Sequence, residues 1–119
     1  MSAVKSLEEM QLEVREVNED KGWYDQHRSF GDDVALLHSE VSEMYEAYRR
    51  WGLDDATPAG NISDLADLPK PEGLGSEIAD VFIRLLDTAQ RAGIDLRAEY
   101  ERKLAYNRTR PYRHGNKRT

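Results

Sequence analysis

The sequence predicts an all-α, four-helix bundle-like fold, on three observations. Apolar residues recur at helical spacing in four separate segments, capping residues stand at the starts of these segments, and glycines follow the second and third. The second segment, Asp33–Gly52, is the strongest of the four. On a wheel of 100° per residue Val34, Leu37, Val41, Met44, Tyr48 and Trp51 share one sector, which makes an amphipathic helix of about five turns. Asp32 or Asp33 caps its first turn, Arg49 and Arg50 suit the negative end of its dipole, and Gly52 stops it.

The other elements follow in chain order. Ser6–Asp20 carries a capping serine, early acids and Leu7, Met10, Val14 and Val17 at helical spacing, so it forms a first helix with one buried face. Lys21–Gly31 has glycine near both ends and reads as a connection. Its Trp23 and Tyr24, with Phe30, are expected to plug the core; the alternative for Trp23 is a base-stacking surface. Leu53–Gly75 holds three of the four prolines and three glycines, a long loop of the kind that is commonly functional or mobile. Ser76–Arg91 is a third helix. Its apolar sector of Ile78, Val81, Phe82, Leu85, Leu86 and Ala89 is broad enough to place it centrally, and a polar stripe of Glu77, Asp80, Arg84, Asp87 and Arg91 runs along its other side. Gly93 ends that helix, and Asp95 caps a fourth that reaches about Arg108, with Leu96, Tyr100 and Leu104 as its buried positions.

The 119 residues make one domain, with 39% hydrophobic and 34% charged residues. No apolar run approaches the length of a bilayer span, so no membrane partner is expected. Residues 1–10 are polar and acidic, unlike a secretory segment, and a cytoplasmic location is the default expectation. The absence of cysteine removes disulfides, thiolate metal sites and cysteine nucleophiles together. A net charge of −6 disfavours general nucleic-acid binding. Against that average, residues 108–119 hold five Lys or Arg and no acid, a basic strip at the end of an acidic chain.

Two helices each carry an acidic pair at i, i+3: Glu40 with Glu43, and Glu77 with Asp80. Residues three apart on a helix lie about 5–6 Å apart at Cβ, so each pair can hold one hard cation and two facing pairs can hold several. Single pairs of this kind are common on solvated faces. Glu40, however, stands near the edge of an apolar sector, where a carboxylate is not desolvated cheaply without a cation or a hydrogen-bond partner. On the last helix Lys103 and Asn107 project to the side of Leu96 and Tyr100, toward the interior or a cleft.

The arrangement resembles the MazG-like all-α nucleoside triphosphate pyrophosphohydrolases. The residues that carry the resemblance are Glu40-Val41-Ser42-Glu43, Glu77-Ile78-Ala79-Asp80, and an ending in which Lys103 and Asn107 precede Arg110-Pro111 and His114-Gly115. It covers roughly Asp33 to Lys117, with a long interval between Glu43 and Glu77 that sets the proline-rich insertion beside the site. The resemblance implies a MazG-type domain completed by homo-oligomerisation, as a dimer or a dimer of dimers. It implies hydrolysis of a nucleoside or deoxynucleoside triphosphate to the monophosphate and pyrophosphate. Glu40, Glu43, Glu77 and Asp80 would then be at once the Mg²⁺ ligands, with Mn²⁺ as a substitute, and the catalytic carboxylates. Lys103, Asn107 and Arg110 would bind substrate, with Trp23 and Trp51 as aromatic surfaces. The charges suit that chemistry, because a triphosphate beside four carboxylates repels them unless divalent ions intervene.

Other classes fit less well. A di-iron bundle wants Glu-x-x-His motifs, and none of His27, His38 and His114 has a glutamate three residues before it. No P-loop motif occurs. A non-catalytic helical adaptor, or a nucleic-acid-binding protein using the basic tail, is the alternative; it leaves the acids near apolar sectors unexplained.

Overall fold

The structure is a computed structural model that describes residues 4–53 and 70–112. Four α-helices make up the fold: α1 (Leu7–Asp20), α2 (Phe30–Trp51), α3 (Leu74–Arg91) and α4 (Leu96–Arg108). Among the described residues there is no strand, and no helix is long and apolar enough to cross a membrane. The insertion lies largely outside the described residues, as does the tail beyond Tyr112.

Local chemistry sets the helix ends. Ser6 caps α1 through a reciprocal box, accepting from the Glu9 N–H at 3.1 Å while its own N–H donates to the Glu9 carboxylate. The α2 helix begins three residues before the predicted start. Its cap is Ser29, boxed with Asp32, so the expectation that Asp32 or Asp33 would cap is corrected. The physical reason is that Asp33 has another partner, the Arg28 guanidinium at 2.7 Å. Gly52 closes α2 with φ +70°, a conformation glycine adopts without the Cβ penalty. The α3 helix also starts early, after Gly73 at φ 104°. Asp95 caps α4, accepting from the Ala98 N–H.

The α3 helix is central, although half of its apolar sector stays exposed and Asp87 of its polar stripe is buried: α2 packs along it, α1 packs against it, and α4 rests on α1. Leu74, Leu86 and Ala89 of α3 are buried together with Ala47 of α2. Buried Gln11 ties α1 to the turn between α3 and α4 by donating to the Ile94 carbonyl at 3.2 Å. Several expected core positions are not covered within one chain. Val17, Ile78, Phe82, Leu85 and Tyr100 are exposed, the last at 60%. The α4 helix has α1 as its main neighbour, so only Leu96 and Leu104 turn half inward. None of the three aromatics expected to plug the core is buried in it: Tyr24 is half-buried among the side chains of Arg15, Asp87 and Arg91, and Trp23 and Phe30 are exposed.

Candidate functional site

The packing of α2 on α3 brings the two acidic pairs toward each other. Carboxylate oxygens of Glu40, Glu43 and Glu77 lie within 4.8 Å of one another, close enough for one cation to touch all three. The placement follows from the helix period: Glu40 and Glu43 share one side of α2, and α3 presents Glu77 across the same seam. Asp80, one turn along α3, interacts with both Glu77 and Glu40.

Glu77 is the least compensated of the four. Its Oε2 is buried without a hydrogen-bond partner. Burial, and then the charges of Asp80, Glu43 and Glu40, push its carboxyl above the usual range, with Lys70 opposing weakly. Asp80 is also raised, by burial and by Glu40, against the opposing effects of Arg84, its polar contact with Glu77, and Lys70. An orphaned carboxylate oxygen facing further carboxylates is an arrangement that a hard divalent cation relieves, and the all-oxygen donor set is of the Mg²⁺ or Mn²⁺ type.

Glu40 has its own partner. The Arg84 Nη2 lies 3.4 Å from Glu40 Oε1, a pair that crosses from α3 to α2 with both side chains mostly buried. A cavity of about 300 Å³ opens beside them, lined by Glu40, Asp80, Arg84, Arg28, Trp23 and Asn18 among others. Its far wall is fixed by Asp87, which is 1% exposed. Tyr24 donates to Asp87 Oδ1 at 2.8 Å, Arg91 donates to Oδ2 at 2.9 Å, and Arg28 reaches Oδ2 at 3.6 Å while holding Asp33. Arg91 also donates to the Trp23 carbonyl, and its guanidinium lies 3.8 Å from the Tyr24 ring centroid. Burial, followed by the hydrogen bond to Asp87, pushes the Tyr24 phenol to about 12, so it remains a donor at neutral pH.

Of the expected substrate-side residues, the structure brings Trp23 to this cavity. Trp51 sits at the end of α2, half-buried under the Arg50 guanidinium, and does not line it. Lys103 and Asn107 were expected to face a cleft; both are exposed on α4, and with Arg110 they stand outside the cavity lining. Arg113, His114 and Lys117 of the basic strip fall outside the described residues. Sequence reasoning missed Asn18, Arg28 and the pairing of Asp33 and Asp87. The signal available for these ion pairs, Asp33 with Arg28 and Asp87 with Arg91, was an arginine four or five residues from each carboxylate.

The chain matches no protein-family model, no curated protein and no solved structure.

Proposed function

We propose that this protein is a Mg²⁺-dependent nucleoside triphosphate pyrophosphohydrolase that works at the α2–α3 seam. The observation that carries the reading is the meeting of Glu40, Glu43 and Glu77 within 4.8 Å, with Glu77 Oε2 buried and unpaired. The sequence resemblance supplies the reaction. When bound, the divalent ion would offset the carboxylate charge, bridge to substrate phosphates and lower the cost of charge building on their oxygens. Glu40, Glu43, Glu77 and Asp80 would hold it. One of these carboxylates, or the ion itself, would orient and activate the attacking water. Trp23 would offer the base an apolar face at the cavity mouth, while Arg28 and Arg84 supply positive charge inside. Incubation with a panel of ribo- and deoxyribonucleoside triphosphates is expected to release pyrophosphate from at least one of them with Mg²⁺ and from none with EDTA. Release of orthophosphate alone, or no release across the panel, would sink the reading.

The assembly is proposed to be a homodimer or a dimer of dimers. Phe82 and Leu85 of α3, Leu96 and Tyr100 of α4, and Val4 and Leu7 line an open apolar groove of about 800 Å³ that a single chain leaves wet. A second copy that covers it would bury the outer half of the α3 sector. Light scattering is expected to return at least twice the 13.7 kDa chain mass, and Phe82→Glu to shift the population to monomer. A monomeric parent at micromolar concentration would count against the assembly.

A further inference from the structure

Arg84 joins Glu40 in an ion pair at the centre of the candidate site, although its neighbours on α3 include the acids Asp80 and Asp87. Glu40 is thereby claimed twice. Its carboxylate lies within 4.8 Å of those of Glu43 and Glu77, while its Oε1 is 3.4 Å from the Arg84 guanidinium. A carboxylate that neutralises a guanidinium has less charge to give a second cation, so the two interactions oppose each other. Arg84 also lines the cavity beside the cluster, along with Asp80 and Trp23. Its helix backbone is pinned, since the Thr88 hydroxyl donates to the Arg84 carbonyl at 2.9 Å, and any movement belongs to the side chain.

From this geometry we propose that Arg84 is a resident counter-ion: it holds Glu40 while the cluster is without a divalent cation, and releases it to bind the triphosphate when the cation arrives. The inference rests on the hydrolase reading above and adds to it a residue with two successive partners. Arginine suits both, because its planar fork is always charged and matches carboxylate and phosphate oxygens alike. The exchange couples the two ligands. A cation that takes Glu40 frees a phosphate-binding group, so metal and nucleotide each favour binding of the other.

The test is a Mn²⁺ titration without nucleotide, read from the electron paramagnetic resonance of the free ion, alongside pyrophosphate release and helicity. Arg84→Gln removes the competing cation and is expected to bind Mn²⁺ roughly threefold to tenfold more tightly than the parent. The same variant is expected to lose roughly tenfold to a hundredfold in kcat/KM, mostly through KM. A merely structural arginine would give the reverse in the first measurement, an unchanged or weaker Mn²⁺ affinity, and that result overturns the proposal. Arg84→Met, which keeps the aliphatic stem, repeats the comparison should the glutamine variant lose helicity. Failure of the underlying reading looks different. A parent that binds no Mn²⁺ overturns both ideas. A parent that binds Mn²⁺ but releases no pyrophosphate sinks the hydrolase alone, and the Mn²⁺ affinity ratio of variant to parent still decides the counter-ion.

Discussion

Glu77→Gln is expected to lower Mg²⁺-dependent pyrophosphate release by at least roughly a hundredfold and, in EDTA, to raise the melting temperature by about 2–5 °C. The two effects have one cause. Glu77 supplies a charge at the point where α2 and α3 acids converge, and without a cation that charge has a buried oxygen with no partner. An unsatisfied polar atom in a half-buried residue costs about 1 kcal/mol, the low end for such groups, and glutamine keeps the volume while offering an N–H to the neighbouring carboxylates. The pH dependence has a definite sign. The Glu77 carboxyl is raised above its ordinary 4.5, so the folded state binds the proton more tightly than the unfolded chain does. Stability from this group is therefore greatest below 4.5 and is lost as pH rises through the raised value. In Glu77→Gln that loss should be absent. Glu40→Gln makes the contrast: it should also abolish hydrolysis, but without the gain in melting temperature, because it leaves Arg84 without its carboxylate. Equal turnover in parent and Glu77→Gln would remove Glu77 from the site, and a lower melting temperature in EDTA would mean that its charge is compensated after all.

How far the sequence is legible depends on the range over which each feature is decided. Caps and stops are local, and Ser6, Gly52, Gly93 and Asp95 act where the sequence places them. The start of α2 is also set locally, by the box of Ser29 and Asp32, but it lies in a polar, aromatic stretch without helical periodicity. The acidic pairs were visible because i, i+3 spacing is a property of one helix. What meets Glu40 was not visible, since its partner Arg84 is 44 residues away and reaches it only once α2 and α3 have packed. Tyr100 fell to a different error. Periodicity counts a tyrosine as apolar, whereas its burial depends on which helix lies opposite, and α4 has mainly α1.

Asp87→Asn is expected to destabilise the fold by about 3 kcal/mol, which for a chain of this size lowers the melting temperature by about 10–15 °C. The side chain is 1% exposed and joins the α1–α2 connection to α3 through Tyr24, Arg91 and Arg28. Asparagine preserves the volume and still accepts from the tyrosine. It removes the charge on which two arginines are centred, and uncompensated buried charge is the costly part of a broken ion pair. Burial alone would push the Asp87 carboxyl up, but hydrogen bonds from Tyr24, Arg91 and Asn18 and the Arg91 charge outweigh it and hold it below its ordinary 3.8. The sign is thus opposite to that of Glu77: stability from Asp87 is fully present above 3.8 and is lost as pH falls through its lowered value. Tyr24→Phe gives a graded comparison, since it deletes one donor and leaves the charges paired, for a loss of about 1–2 kcal/mol. Thermal melts of parent and both variants at neutral pH, repeated down to acid, check the ordering. If Asp87→Asn melts within about 2 °C of the parent, the network does not hold the connection to α3, and the cavity wall that carries Trp23 must be fixed by other contacts.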